Sequence, residues 1–437
     1  MAARPGFLSA LAGWLASPLL RTRAYEAAPR WRDEPGWDRL GDRRAVQPSV
    51  IALSEKHYAS DGYYRNGCDA WTTALAGSGW GFAPRNPDML DLWTPYAGSA
   101  VWGGGGSFDA LTGALARDMV VSGEGVAVLQ PDWTWLRIPR SAIAHDHDNG
   151  STIREGVEFT DGRESAIWIR RDPAAAPQRI ERDRYVRLWR EDFPGQVRGA
   201  PWGAAVLTAA DTLADTENAL VMGVKVAAMF AGIATDENNA GADFPFDGTS
   251  RGSVLESGLE PGTLKILPAG WRVQFATPQQ AQQSAEFLRH QLHRISAGFG
   301  VPTHLVSNNL ADANYGSLRA GMVEFSMRVE AAQFATIVPQ FLRPAWEAFC
   351  TREYLAGRIA DLDAALACEF IAPARPWIDP AKDAAATAEM LRLGLTSRRR
   401  AAAELGWDIA RLDAEIASDR ERAASLGLTF NQEANNA

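Results

Sequence analysis

The hydrophobic period of this chain changes twice, and these changes constrain the fold more than any other sequence feature. Between Val120 and about Glu191, apolar residues alternate with polar ones, as in the run from Tyr185 to Trp189. The turn signals Asn149-Gly150 and Asp161-Gly162 divide this stretch into short strands. Helical periodicity precedes and follows it. The sequence therefore predicts an α+β protein with an antiparallel sheet between helical segments.

Helices are predicted on both sides of the sheet. Residues 48–80 and the stretch Phe108 to Met119 carry apolar residues at helical spacing. Residues 203–231 contain no proline and are rich in alanine. This length of chain is enough for roughly 40 Å of helix at 1.5 Å per residue. Such a small-residue surface would let another helix approach closely.

The C-terminal part of the chain is also predicted to be helical. Residues 318–357 read as one long helix that Pro339 and Pro344 should kink. Beyond it, the helix-start and helix-stop residues are Asp379 with Pro380 and Gly394, Thr396 with Gly406, and then Asp408. These residues predict three short helices in succession.

A helix predicted over residues 278–300 has two chemically different sides. Its apolar side carries Leu288, Leu292, Ile295 and Phe299. The opposite side carries Arg289, His290, His293 and Arg294, which we call the basic stripe. Spacings of one, four and five residues place these four side chains on one face. The stripe is either a solvated helix face or a surface that contacts a polyanion.

An acidic insert, residues 232–277, separates this helix from the one before it. Its acidic residues all lie within residues 232–264, where Arg251 is the one basic residue; they are Asp236, Glu237, Asp243, Asp247, Glu256 and Glu260. The insert is predicted to be rich in loops, with a hairpin between 264–266 and 273–275.

Composition excludes several classes of protein. The 437 residues contain 44 Lys plus Arg against 53 Asp plus Glu, a net charge of -9. Such a surface would repel nucleic acid, so any contact with it must be local. Cys68, Cys350 and Cys368 have no CxxC spacing, so neither a disulfide framework nor a structural zinc site is indicated. The absence of a disulfide framework fits a reducing cytoplasm. A chain of this length is predicted to form two or three globular parts.

The N-terminus leaves two alternatives open. No window approaches the roughly 20 apolar residues that cross a bilayer, so no integral membrane protein is predicted. The stretch Phe7 to Leu20 could be a signal peptide or an anchor to a membrane surface. Arginines follow it at once, at Arg21 and Arg23. They favour an amphipathic arm over residues 1–50 that lies on another surface.

His145 and His147 are the candidate metal ligands. On a strand, alternate residues would place both imidazoles on one face, as a metal-dependent nucleic-acid enzyme would need. Asn149-Gly150 follows directly and favours a hairpin turn instead. The glycines Gly103–Gly106 lack the lysine of a P-loop, and the chain has no GxSxG motif. No catalytic residue, metal or cofactor is therefore predicted.

Residues 395–416 are similar to a helix-turn-helix, with a basic first helix and Gly406 in the turn. The second helix carries Asp408, Asp413 and Glu415. These carboxylates would repel phosphates where a recognition helix should attract them. A role in reading DNA sequence is the less favoured interpretation.

Several short motifs, taken in order, resemble those of the lambda-type tailed-phage portal protein family. They are Arg23-Ala-Tyr-Glu-Ala-Ala28, Tyr64-Arg-Asn66, Ser122-Gly-Glu124, Pro194-Gly-Gln-Val-Arg-Gly199, Gly300-Val-Pro302, Asn314-Tyr-Gly-Ser-Leu-Arg319, and Trp377-Ile-Asp-Pro380 with Gly394-Leu-Thr396. No single motif is specific, but their order and spacing are. Gly316 and Ser122 depart from the family pattern, which usually has Ser and an acid at these positions.

The resemblance implies a portal-type fold assembled as a ring, usually of twelve subunits, around a DNA channel at one capsid vertex. The implied regions are an N-terminal arm (1–50), an antiparallel β wing domain (51–202), stem helix 1 (203–231), a clip (232–277), stem helix 2 (278–300), a tunnel loop (301–317), a long kinked helix (318–357) and a helical crown (358–437). Asn308, Asn309, Asn314 and Tyr315 of the tunnel loop would then line the channel.

The family also implies the partners. Double-stranded DNA would pass through without sequence-specific binding, driven by the terminase large subunit. Terminase and later a head-completion or adaptor protein would dock on the acidic clip, and the major capsid or scaffold protein would hold the ring. The subunit itself would be no enzyme, would need no cofactor and would contact no membrane. It would reside in the virion, and in the host cytoplasm during assembly.

Overall fold

The computed structural model describes most of the chain between residues 48 and 428. The described residues are 48–170, 172, 174–229, 233–236, 248–251, 254–257, 271–274, 281–311, 314–374, 377 and 379–428. The chain forms two compact units, one combining Met1–Leu207 with Ile295–Ala437 and the other comprising Thr208–Arg294. The predicted N-terminal arm lies outside the described residues up to residue 47. Among the described helices, none combines the length and apolar content that crossing a bilayer requires.

Asp61 divides the first helical region into two helices. Helix α1 (Pro48–Ser60) ends just before it, and α2 (Gly62–Ala76) begins just after it. The Asp61 carboxylate accepts hydrogen bonds from the backbone N–H groups of Tyr63 and Tyr64, at 2.9 and 3.2 Å, and so caps α2. The prediction of one helix over 48–80 was therefore wrong about its continuity.

A strand and two helices follow: β1 (Gly81–Pro84), α3 (Met89–Gly98) and α4 (Phe108–Ser122). Helix α4 confirms the helix predicted from Phe108. Its first turn is capped by Ser107, whose hydroxyl accepts from the N–H of Ala110. The rings of Phe82, Trp93 and Phe108 lie 4.4 to 5.8 Å apart, centroid to centroid, in the core between these elements.

The predicted antiparallel pairing is confirmed, but the strands form two sheets. They are β2 (Glu124–Leu129), β3 (Trp135–Ile138), β4 (Ile153–Arg154), β5 (Val157–Thr160), β6 (Arg163–Ile169), β7 (Gln178–Glu181) and β8 (Tyr185–Trp189). The strand orders are β3-β2-β8 and β4-β5-β6-β7. Val126, Val157, Ile167 and Tyr185, two from each sheet, belong to one buried cluster. Both sheets therefore share a core.

The proline-free run forms the long helix that it predicted. Helix α5 spans Leu207–Met229. The acidic insert contains the described strands β9 (Ile233–Asp236), β10 (Gly248–Arg251), β11 (Val254–Ser257) and β12 (Trp271–Gln274). Strand β12 pairs with β9. Residues 264–266, its predicted partner, lie outside the described residues. Helix α6 (Ala281–Phe299) follows the insert.

The long C-terminal helix is also present, in three parts. Helix α7 (Thr303–Ser307) precedes it. The long helix consists of α8 (Tyr315–Ala332), a π-helical segment (Gln333–Leu342) and α9 (Arg343–Leu355). Pro339 lacks an N–H, and the wider π turns surround it, with the N–H of Arg343 bonding to the carbonyl of Val338. Pro344 stands in the first turn of α9, where a missing N–H costs little.

A side chain of the π-helical segment binds the edge of the three-stranded sheet. The Oε1 atom of Gln340 accepts from the backbone N–H of Trp189 at 2.8 Å, and its Nε2 atom donates to the Trp189 carbonyl at 3.0 Å. Trp189 is the last residue of β8, an edge strand. The amide therefore satisfies both backbone groups that a further strand would otherwise bind.

The first part of the predicted crown differs from the expected helices. Helix α10 (Leu362–Leu366) is followed by strand β13 (Cys368–Ile371), which pairs antiparallel with β1. The ring of Phe370 packs 5.4 Å from that of Phe82. Pairing with β1, together with burial of Ile371, explains why residues 368–371 join the region assigned to the wing.

Three helices complete the described chain: α11 (Pro380–Arg392), α12 (Arg398–Glu404) and α13 (Ile409–Ser425). The caps predicted at Asp379 and Asp408 are confirmed, because their carboxylates accept from the N–H groups of Lys382 and Arg411. The start predicted at Thr396 was wrong by one residue. Ser397 caps α12 instead, accepting from the N–H of Arg400.

Candidate functional site

The predicted tunnel loop, 301–317, is shorter than the sequence indicated because helix α7 occupies part of it. Asn308 ends α7 in a left-handed conformation (φ 53°), with its N–H donated to the carbonyl of His304 at 2.9 Å. Asn314 begins α8, since its Oδ1 atom accepts from the N–H of Ser317 at 2.8 Å. The loop itself is therefore 308–314, of which residues 312 and 313 lie outside the described residues.

The four predicted channel residues divide into two pairs. Asn308 and Asn309 are exposed on the loop, although Asn309 also accepts from the N–H of Ala311. Asn314 and Tyr315 belong to the start of α8 instead. The hydroxyl of Tyr315 accepts from the guanidinium of Arg319 at 2.9 Å, and Arg319 also donates to Asp383 of α11 at 2.9 Å.

The base of this loop is held by groups from distant parts of the chain. The side-chain amide of Asn66 donates to the Val306 carbonyl at 2.9 Å, and the indole N–H of Trp71 donates to the Phe299 carbonyl at 2.8 Å. Gly67 matters here because a Cβ atom on it would lie 2.7 Å from the Phe299 ring. The motif around Asn66 thus holds the chain on which the loop begins, a role that sequence reasoning missed.

The basic stripe lies on an exposed face of α6. Arg289, His290, His293 and Arg294 are all exposed. On the apolar side, Ile295 and Phe299 are buried, whereas Leu288 and Leu292 are half-buried. Gln291 is buried as well, which the sequence pattern did not indicate.

Two of the six acidic residues of the insert fall in described strands. Asp236 ends β9 opposite Trp271, and Glu256 lies in β11 opposite Thr249. Glu237, Asp243, Asp247 and Glu260 lie outside the described residues. Their docking role stays a prediction.

The metal-site alternative at His145 and His147 finds no support. Residues 145 and 146 lie in a turn, so the strand alternation that would align the imidazoles is absent there. Asp146 is paired with Arg170 at 2.9 Å, and His147 packs 4.3 Å from the ring of Trp168. Within the described part of the chain, no group of three His, Cys, Asp or Glu residues could hold a metal ion.

The helix-turn-helix interpretation is not supported either, because two arginines of its basic first helix pair with carboxylates of the same chain. Arg398 pairs with Asp413 at 2.7 Å, and Arg399 pairs with Glu369 at 2.6 Å. Side chains engaged in this way offer little charge to a phosphate backbone.

A buried ionic cluster around Glu124 is the principal feature that sequence reasoning missed. Glu124 is fully buried in β2. Its carboxylate accepts from Arg198 Nε at 2.9 and 3.0 Å, from Arg187 Nη1 at 3.2 Å and from the N–H of Gly199 at 2.7 Å. A third guanidinium, that of Arg140, lies 4.0 Å away. We call these residues the Glu124 cluster.

The Glu124 cluster joins two of the motifs named above. Glu124 ends the Ser-Gly-Glu motif, and Arg198 with Gly199 ends the motif that begins at Pro194. The two backbones approach so closely that a Cβ atom on Gly199 would lie 2.1 Å from the carbonyl oxygen of Gly123. Arg140 donates to the carbonyls of Ser122 and Gly199, at 2.6 and 2.5 Å, and so spans both motifs.

The surrounding guanidinium groups keep Glu124 ionised. Burial alone would raise the pKa of its carboxyl, but the charges of Arg198, Arg140 and Arg187 outweigh burial and lower the pKa to about 2. Burial also disfavours the charged form of Arg140. For a base this lowers the pKa, here to about 10. Arg187 gains a second partner in Glu164, at 2.6 Å.

Comparison with known proteins agrees with the motifs. Residues 41–333, about two thirds of the chain, match the sequence model of the family described as phage portal protein, lambda family. The chain belongs to the lambda family of phage portal proteins. This confirms the resemblance that the motifs indicated. Curated protein sequences include no significant match.

Solved portal and neck structures are similar in fold. A protein from the neck of an empty gene transfer agent (GTA) particle, computed with C6 symmetry, matches with a TM-score of 0.51 and 14% identity over 89% of this chain and 99% of that one. At this identity the likeness shows a shared fold alone.

Two further structures match less closely. A chain of the native GTA virion has a TM-score of 0.49 and 16% identity, over 82% of this chain and 94% of that one. An HK97 family phage portal protein from Corynebacterium diphtheriae has a TM-score of 0.33 and 14% identity, over 75% and 95%.

Replacement of Glu124 should destabilise the portal subunit more than loss of an exposed carboxylate. We expect Glu124→Gln to lower the free energy of unfolding by roughly 3 to 5 kcal/mol, because three buried guanidiniums lose their shared anion. Chemical denaturation at pH 7 measures this. The matched variant Glu389→Gln removes an exposed partner of Arg392 and should leave the unfolding midpoint unchanged.

The pH dependence of stability follows from the direction in which the pKa of Glu124 is shifted. In the folded protein the pKa of Glu124 is below its ordinary value of 4.5. Glu124 therefore contributes fully to the free energy of unfolding above pH 4.5, and this contribution is lost as the pH falls from 4.5 towards 2. The stability difference between wild type and Glu124→Gln should shrink over this range. Equal stability of the two proteins at pH 7 would contradict the role of the cluster.

Proposed function

We propose that copies of this chain form a ring of twelve subunits, the portal channel at one vertex of a phage or phage-derived capsid. DNA would pass through this channel during packaging and ejection, and the ring would join head to tail. The observation that carries the proposal is the family match over residues 41–333. The fold shared with a protein from a particle neck computed with C6 symmetry supports a ring whose copy number is a multiple of six.

The regional assignment forms part of the proposal. It comprises the arm (1–50), wing (51–202), stem helix 1 (203–231), clip (232–277), stem helix 2 (278–300), tunnel loop (301–317), long helix (318–357) and crown (358–437). Helices α5 and α6 flank the acidic insert, as two stem helices flank a clip. Because strand β13 pairs with β1 of the proposed wing, we propose that the crown begins after residue 371.

The partners and location follow from the same role. The terminase large subunit would dock on the clip and supply the motor, since a channel subunit needs no catalytic group of its own. A head-completion or adaptor protein would later take the same place, and the major capsid or scaffold protein would surround the ring. The subunit would assemble in the host cytoplasm and remain in the virion.

Native mass is the direct test of the ring. We expect the purified chain to form particles of about twelve times the 47.4 kDa of one subunit, with a central hole in electron micrographs. Mass photometry gives the copy number. A chain that stays monomeric at micromolar concentration, in low and moderate salt, would contradict the proposal.

The exposed amides of the 308–314 loop suit a channel wall. Asn308 and Asn309 offer uncharged hydrogen-bonding groups, which contact phosphates without the strong, salt-dependent attraction of Lys or Arg. The loop is also held firmly at its base by Asn66 and Trp71. A loop without Lys or Arg, whose one charged residue is the anion Asp312, can surround moving DNA without binding it tightly.

Placing positive charge on this loop should slow DNA transport. We expect Asn308→Lys with Asn309→Lys to reduce the rate of DNA packaging several-fold, because a ring of added lysines would bind the phosphate backbone. An in vitro packaging assay measures the rate. The control Asn86→Lys with Gln178→Lys adds the same charge at exposed positions of the proposed wing and should package normally. Wild-type rates in the loop variant would contradict the channel placement.

The basic stripe is proposed to pair with acidic residues of an adjacent subunit's stem helix. Helix α5 carries Asp211, Asp215 and Glu217, of which Asp215 is exposed and the other two are half-buried. Arginines that faced the channel would instead hold DNA by electrostatic attraction. Each partly exposed ion pair contributes only about 0 to 1 kcal/mol, but the contact repeats around the ring.

Charge reversal tests this pairing. We expect Arg289→Glu with Arg294→Glu to lower the salt concentration at which rings dissociate, and Asp211→Arg with Asp215→Arg to restore part of the loss. Sedimentation across a salt series measures dissociation. The control Arg85→Glu with Arg117→Glu changes net charge equally at exposed residues elsewhere. Rings of unchanged salt stability that package DNA slowly would show that the stripe faces the channel.

A further inference from the structure

Helix α8 is apolar on two opposite sides. Phe325 and Val329 are buried against the rest of its unit. Half a turn away around the helix lie Gly316, Ala320, Val323 and Met327, and Phe334 continues this line in the π-helical segment that follows; the spacings are four, three, four and seven residues. All five are exposed, with Met327 at 68%. We call these five residues the α8 seam.

The α8 seam has the form of a helix-packing surface. Spacings of three and four residues are those of a coiled-coil contact stripe. An open groove of about 500 Å³ runs along it between Gly316 and Met327. Residues 315–332 carry two basic and two acidic side chains, a balance that gives no attraction for a polyanion. The occupant that fits is therefore an apolar protein surface.

A second set of exposed apolar residues lies at the ends of the C-terminal helices. Helices α11, α12 and α13 each end in the same kind of turn, with glycines at Gly394, Gly406 and Gly427 in the left-handed region. An apolar residue stands on both sides of each glycine. These residues are Leu393, Leu395, Leu405, Trp407, Leu426 and Leu428, and we call them the Leu-Gly turns.

The Leu-Gly turns have no core of their own. All six apolar residues are exposed, with Leu395 at 70%. Within the fully described stretch 379–428, Ala402 is the one buried residue. Short helices without buried apolar contacts are marginal in water, so this stretch needs another surface to cover it. Its eight basic and nine acidic residues balance closely, so two copies would not repel each other there.

We infer that the α8 seam of one subunit packs against the Leu-Gly turns of the next subunit. This inference rests on the proposed ring. A closed ring uses a head-to-tail contact, which needs two different, complementary surfaces on each copy. The seam and the turns are such a pair. Within one subunit, the ion pair between Arg319 and Asp383, at 2.9 Å, links α8 to α11, the first of the three helices that carry the turns.

Charge insertion and charge complementation test the pairing. The seam variant is Val323→Glu with Met327→Glu, and the turn variant is Leu395→Arg with Leu426→Arg. Each alone places charges in an apolar contact and should raise the concentration needed for ring formation at least about tenfold. The four-fold variant puts Glu opposite Arg at every contact and should regain ring formation in low salt, but not in high salt.

Controls separate assembly from folding. Leu355→Glu with Phe193→Glu makes the same chemical change at exposed apolar residues outside both surfaces and should assemble as the wild type does. Thermal unfolding of each variant, measured below its assembly concentration, should match that of the wild-type monomer. A seam variant with a lowered midpoint would be replaced by the milder Met327→Gln, for which a smaller shift in the same direction is expected.

The outcomes distinguish this inference from the proposed function. Wild-type chains that form no ring would overturn both. Wild-type rings with unaffected seam and turn variants would overturn the inference alone. Loss of assembly in both variants without rescue in the four-fold variant would show that the two surfaces do not face each other, and would overturn the pairing.

Discussion

The buried carboxylate of Glu124 is the interaction on which the β-sheet region depends. A fully buried anion is costly unless it is paired and hydrogen-bonded. Here Arg198, Arg187 and the N–H of Gly199 bind it directly. The cluster therefore accepts one arrangement of β2, β8 and the chain before α5, because any other arrangement would leave buried charges without partners. Loss of any one partner would leave the others buried and unpaired, so the cluster stabilises this arrangement and disfavours the alternatives.

Much of the fold was predictable because the deciding interactions are local. Asp379 and Asp408 cap helices by bonding to residues three positions away, and the alternating stretch from Val120 marks strands directly. The Glu124 cluster could not be predicted in this way. Glu124 and Arg198 are 74 residues apart, and only the fold brings the two charges together. The motifs that contain them identified the family without revealing that they bind each other.

The candidate loop shows the same division. Its polar composition without Lys or Arg was evident, and Asn308 and Asn309 are exposed as expected. Its true length was not evident, because asparagines such as Asn308 and Asn314 are as common within loops as at helix ends. Their side chains and backbones instead end one helix and cap another, a use of asparagine that a loop-rich composition conceals. The contact from Asn66 comes from 240 residues away and has no local signal.

The amide of Gln340 gives the long helix a fixed register against the three-stranded sheet. Both of its hydrogen bonds go to the backbone of one residue, Trp189, so a sliding or rotating helix would break both at once. The same two bonds occupy the donor and acceptor that the end of β8 would offer to a foreign strand. At that position neighbouring subunits cannot extend the sheet. Any contact that another chain makes at the end of β8 has to use side chains rather than paired strands, which excludes strand exchange at that residue.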